Sequence, residues 1–171
     1  MLRRCVPVFV AILGVLRAAS PAAVFADEPT AEVVEFGRYK CRIMAVTSAT
    51  EATSGSVVVE STDEVHLEAT RKIPCRVGES FGYRVRFKNL PRNRAYVLRE
   101  VTDHPPITQP NGVVISQSVT ETTVDPGKAP DGLKLWHFQA GFEYELVPGK
   151  WTHTAYVDGV KVASVTFDVV K

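Results

Sequence analysis

From residue 27 onward helical periodicity is nearly absent, and from Phe81 onward apolar side chains recur with period two. Phe81, Tyr83, Val85 and Phe87 alternate with Gly82, Arg84, Arg86 and Lys88. Successive side chains of a strand point to opposite faces, so this segment is a strand with one apolar and one basic face. Val97, Arg99 and Val101 alternate with Tyr96, Leu98 and Glu100, a strand expected to be buried on parts of both faces. Val113–Val124 is rich in Val, Ile and Thr, which suits strands. Leu133–Phe142 carries Leu135, Trp136 and Phe138, and Trp151–Val157 and Val160–Val169 flank Asp158-Gly159. Asp-Gly between two such runs predicts a hairpin, because a type I′ turn needs positive φ at both central residues. In the last strand Ala163, Val165, Phe167 and Val169 share one face.

The breaks are equally regular. Thr47–Ser56 is rich in Ser, Thr and Gly, Pro91-Arg92-Asn93 is a turn, and Pro148-Gly149 is another. His104–Gly112 contains three prolines and is expected to be a loop, since proline has no ladder donor. Asp125–Gly132 is a further loop. Seven to nine short strands with turns at close intervals predict an all-β fold. An immunoglobulin-like antiparallel sandwich fits best, with a small β-barrel as the alternative.

Residues 1–26 read as a secretory signal peptide. Arg3 and Arg4 form a basic start, Cys5–Leu16 an apolar run, and Val24 and Ala26 a small-residue cleavage site. The apolar run is shorter than the roughly 20 residues of a spanning helix, and Arg17 stops it. Asp27–Lys171 is then one exported domain, periplasmic or extracellular, with no transmembrane span. It carries 17 Lys and Arg against 19 Asp and Glu. Two cysteines remain, Cys41 and Cys75. An even count in an oxidising compartment predicts a structural disulfide, worth about 3–4 kcal/mol for a loop of this length. No C-x-x-C or other recognised ligand spacing supports a redox or metal role.

Tyr144–Val170 reads YELVPGKWTHTAYVDGVKVASVTFDVV. Together with Ile73-Pro74, Gly78 and Phe81-Gly82-Tyr83, it resembles an uncharacterised family of exported bacterial immunoglobulin-like domains of unknown function. The resemblance spans Phe36 to Lys171. It implies a β-sandwich in a bacterial cell envelope and supplies no catalytic or binding residue.

Charge is the sharpest asymmetry. Between Arg71 and Arg99 nine basic residues face a single acid, Glu79. Arg84, Arg86 and Lys88 project from one strand face and are a candidate anion site. Cross-strand neutralisation is the competing reading, with Glu100, Glu121, Glu143 and Glu145 as candidate partners. Nucleic acid is not the expected partner, because Phe81, Tyr83 and Phe87 lie on the opposite face from the charges and cannot stack bases beside them. His137 and His153, with Trp136 and Trp151, approach one another if the last hairpin packs beside Leu133–Phe142. These four are a candidate aromatic or ligand surface, and Tyr144 and Tyr156 could extend it into a platform for a sugar ring. No histidine pair has metal-ligand spacing, so no metal or other cofactor is expected. There is no G-x-S-x-G elbow. Glu143 and Glu145 share a face if that segment is a strand, which by itself does not make a glycosidase pair.

These readings converge on a non-enzymatic binding or accessory module of a bacterial envelope. Its partner would be another envelope protein or a glycan, met by the end loops or an open sheet edge. The alternative is a carrier of an anion, lipid or glycan that uses residues 71–99 or the aromatic platform.

Overall fold

The structure, a computed structural model, describes residues 28–48, 57–130 and 132–171. The signal-peptide segment and most of the Thr47–Ser56 loop therefore lie outside the described residues. Among the described residues nine strands follow one another: β1 Thr30–Ser48, β2 Val57–Glu68, β3 Lys72–Pro74, β4 Ser80–Lys88, β5 Tyr96–Thr108, β6 Val114–Val124, β7 Leu133–His137, β8 Gly149–Val157 and β9 Val160–Val170. They form two sheets, ordered β2-β1-β4-β7 and β3-β9-β8-β5-β6. All neighbours are antiparallel except β3 with β9. The sheets do not close into a barrel, so the architecture is the expected immunoglobulin-like sandwich.

The alternation in β4 and β9 builds the core. Phe81, Tyr83 and Val85 from β4 are buried, as are Ala163, Val165, Phe167 and Val169 from β9. Trp151 of β8 joins them. Phe81 meets Phe167 edge-on at 5.3 Å and Trp151 at 6.0 Å. Edge-on aromatic pairs add about 0.5–1.5 kcal/mol each beyond the area they bury. A second cluster, Tyr96, Leu98, Val124 and Val157, fills one end. Strand β5 buries Leu98 and Val101, which lie on opposite faces, as its pattern predicts. At the β8–β9 turn Asp158 has φ 48° and Gly159 φ 82°, the backbone that Asp-Gly foretells.

Three expectations need correction. His104–Gly112 is not all loop, since β5 runs on to Thr108. Asp103 pairs with Gln117 and Ile107 with Ile115, so β5 takes four steps where β6 takes two. The excess makes a bulge that lifts Pro105 and Pro106 out of the ladder, where their missing donors cost nothing. Leu133–Phe142 is strand only to His137, and Glu143–Glu145 form a short 3-10 helix. The two glutamates therefore share no strand face. Finally, Cys41 and Cys75 are free thiols, so the expected disulfide is not formed here. Cys41 lies in β1, its Sγ 3.2 Å from Ser80 Oγ. Cys75 follows β3 in the other sheet, donates its N–H to Val170 O, and packs on the core. Burial pushes its thiol pKa up.

Strand β1 has two halves. Thr30–Tyr39 pairs with β4, whereas Arg38–Ser48 pairs with β2. Beyond Tyr39 the β1–β2 pair is a two-stranded ribbon with no third strand among the described residues.

Candidate functional site

The basic stripe on β4 meets its counter-charges on the neighbouring strand. Register sets Glu32 opposite Arg86 and Glu35 opposite Arg84. Lys88 Nζ lies 3.0 Å from Glu32 Oε2, and Arg84 Nε lies 3.9 Å from Glu35 Oε1. The Lys88 hydrogen bond holds the Glu32 carboxyl below its usual range. Glu35 also accepts from Tyr39 Oη at 2.9 Å. Other cations of residues 71–99 pair elsewhere: Arg94 with Asp158 at 2.7 Å and Arg99 with Glu121 at 3.3 Å. Cross-strand neutralisation is thus the arrangement, with β1 supplying the acids that face the stripe. Glu121 serves Arg99, and Glu100 goes to Lys134.

Glu79 has a role that its isolation in the basic segment did not reveal. It is 4% exposed, and Arg38 Nε reaches its Oε1 at 2.6 Å while Arg76 NH2 reaches Oε2 at 3.1 Å. The Glu79 bond raises the Arg38 guanidinium pKa. This clamp ties β1 to the segment before β4. Its partner Arg38 is 41 positions away, beyond any local pattern.

The aromatic–histidine group is assembled but is not a surface. Trp136 and Trp151 meet edge-on at 5.0 Å, as their placement suggested. Trp151 and His153, however, are both 0% exposed. Strand alternation sends Trp151, His153 and Ala155 inward together. Complete burial drives the His153 pKa down to about 3. His137 does not join it. Neighbouring side chains of β7 point opposite ways, so Trp136 enters the core while His137 Nδ1 lies 2.7 Å from Ser80 Oγ. Burial lowers the His137 pKa, and also that of His104, whose ring lies 5.0 Å from Trp151.

A cleft does form at the end where β4 stops. The β4–β5 and β6–β7 connections enclose about 630 Å³. Lys88, Arg92 and Lys128 stand in its wall with Phe87, Leu90 and Ala129, and no carboxylate lines it among the described residues. Two bonds fix the second connection: Tyr96 Oη donates to Lys128 O at 2.9 Å, and Val85 N to Gly132 O at 2.8 Å. Lys88 and Lys128 keep exposed salt bridges to Glu32 and Asp125, outside the cleft wall. The volume is within the range of small-ligand sites. Among the described residues of the end loops, those of Asp125–Gly132 contribute to this wall. The end of β4 and the turn after it, Phe87 through Arg92, supply the rest.

The family described as Domain of unknown function (DUF3859) matches residues 29–169. The chain belongs to this family. Among solved structures, the DUF3859 chain is similar to an immunoglobulin-like protein from Pseudomonas aeruginosa, at 18% identity and a TM-score of 0.60, over 85% of this chain and 98% of that one. This likeness shows the fold. A second similarity, to the alkylpurine DNA glycosylase AlkC of Pseudomonas fluorescens, has 15% identity and a TM-score of 0.40, over 59% of this chain and 28% of that one. It carries no argument. No curated protein matches the DUF3859 chain. Among the described residues no helix is long and apolar enough to cross a membrane.

Proposed function

We propose that this DUF3859 chain is an exported, non-enzymatic binding module of a bacterial envelope, and that its ligand face is the cleft between the β4–β5 and β6–β7 connections. The observation that carries this reading is the cleft wall, where three cations stand beside Phe87, Leu90 and Ala129 and, among the described residues, no carboxylate lines it. Such a wall favours an anionic group borne on an apolar body. Export rests on the character of residues 1–26. A photo-cross-linking residue at Pro91, in protein expressed in its own host, should give one defined adduct in the envelope fraction. Arg92→Glu with Lys128→Glu should abolish that adduct. The same probe at Asn111, on the opposite end of the sandwich, should give none. Equal labelling from both ends, or an adduct indifferent to the charge reversals, would sink the assignment.

One observation favours a second reading. Among the described residues no strand pairs with the outer edges of the ribbon formed by β1 and β2 beyond Tyr39, which leaves backbone donors and acceptors along them for a partner. A partner protein could add a strand there. Ile43→Pro would then abolish partner capture while the charge reversals in the cleft left it intact.

A further inference from the structure

Several polar side chains enter the space between the sheets beside Phe81 and Phe167. Register places Thr102 of β5 opposite His153 of β8, and Tyr83 of β4 opposite Lys134 of β7. Thr102 Oγ1 lies 2.9 Å from His153 Nδ1. The Tyr83 and His153 rings are 6.4 Å apart. Lys134 Nζ reaches across from one sheet to Glu100 Oε2 on the other at 3.5 Å, and both side chains are mostly covered. Tyr83 Oη, His153 Nε2 and Trp136 Nε1 are buried and have no hydrogen-bond partner among the described residues. Tyr83 is 1% exposed and His153 is 0% exposed.

Native interiors rarely leave such atoms unsatisfied, and ordered water is the usual partner where no protein group serves. The charge balance narrows the ligand class. Glu100 and Lys134 already neutralise each other, and the buried His153 imidazole is neutral. A charged ligand would therefore sit there without a counter-ion, at a prohibitive desolvation cost. A small uncharged molecule that both donates and accepts fits a phenol and an imidazole nitrogen. We propose that the space bounded by β4, β7, β5 and β8 is an internal binding site for ordered water. Tyr83 Oη and His153 Nε2 hold it, and the Lys134–Glu100 pair closes it from bulk solvent.

Oxygen-17 relaxation dispersion of water tests this on the whole folded domain. The parent should show at least one water that stays bound longer than the protein takes to tumble. Tyr83→Phe, which keeps the ring, should lose that contribution while the near-ultraviolet spectrum confirms intact packing. Lys134→Met should keep the bound water but shorten its residence. A crystal structure should place water within about 3.2 Å of Tyr83 Oη or His153 Nε2. The proposal is overturned if the parent holds no long-lived water, or if Tyr83→Phe retains it unchanged. It is equally overturned if Tyr83 Oη and His153 Nε2 prove to bond directly to protein groups. An unchanged residence time in Lys134→Met would remove the closing role from the ion pair.

Discussion

Glu79→Gln should be the most damaging single polar substitution in this domain. The Glu79 carboxylate is nearly inaccessible, and Arg38 beside it is 22% exposed. Breaking a buried pair by removing one partner costs about 3–5 kcal/mol, because the remaining charge is left uncompensated. Two features reduce that figure. Arg76 is 66% exposed, so its bond to Glu79 contributes at most about 1 kcal/mol. Arg38 also keeps a second carboxylate, Glu68, at 3.1 Å. The expected loss is therefore about 2–3 kcal/mol. For a domain of this size that lowers Tm by about 5–10 °C and the urea midpoint by about 1 M. Urea melts at neutral pH of the parent, Glu79→Gln, Arg38→Met and the double variant close the cycle. The coupling energy should be about 2 kcal/mol, since the second substitution costs little once the first is made. A Glu79→Gln melt within about 0.5 kcal/mol of the parent, or strict additivity in the cycle, would refute the clamp.

Acid should destabilise the fold through its buried histidines. The His153 pKa falls from an ordinary 6.5 to about 3 on folding, so the unfolded chain binds more protons between those values and stability falls as pH drops through that window. Its share is up to about 5 kcal/mol, His104 and His137 act in the same direction, and a melt indifferent to pH from 7 to 4 would refute the assignment. Gly82→Ala should destabilise by about 1–3 kcal/mol, because an added Cβ would run into the Lys134 backbone carbonyl; a melt matching the parent would show that β7 lies further from β4. Gly159→Ala should cost about 1 kcal/mol, because φ there is 82°, and an unchanged denaturation midpoint would argue against the type I′ turn. Unfolded, unreduced protein should take up two alkyl groups, at Cys41 and Cys75; a mass spectrum with none would show that the two thiols pair after all.

Where the ladder is regular the sequence is readable. The strands β4, β8 and β9 and their inward residues follow from alternation, and Asp158-Gly159 fixes the last hairpin. The strands β1 and β2 were not legible, because bulges repeatedly shift their register, at Val33/Glu35, Arg38/Tyr39 and Lys40/Arg42 among others. Each shift resets the period-two pattern, so the alternation that marks a strand never runs long enough to be seen. The prolines of β5 misled for a related reason, since they occupy bulge positions that make no ladder bonds. Gly82 stands out in its Phe81-Gly82-Tyr83 setting, yet only the close approach of β7 explains it. The cleft was half legible: the loop containing Lys128 was a candidate, but nothing local says that it meets the turn containing Arg92. Long-range pairs such as Arg38 with Glu79 leave no trace in spacing at all.

The position of these features along β4 separates stability from binding. The Glu79 clamp precedes Ser80, where β4 begins, and the cleft starts at Phe87 and Lys88, where it ends. Nine residues of strand span about 30 Å, well beyond the distance at which substitutions couple. Between the two ends lies the packed row of Phe81, Tyr83 and Val85, so neither end can relax without disturbing the core. Substitutions in the cleft should therefore alter ligand capture at parental stability, and substitutions in the clamp should lower stability without altering the cleft. Arg92→Glu exposes this directly, because Arg92 is itself exposed and such surface changes stay within about 0.5 kcal/mol. If Arg92→Glu lost both capture and stability, the cleft would be part of the folding unit and not a surface free to vary with its ligand.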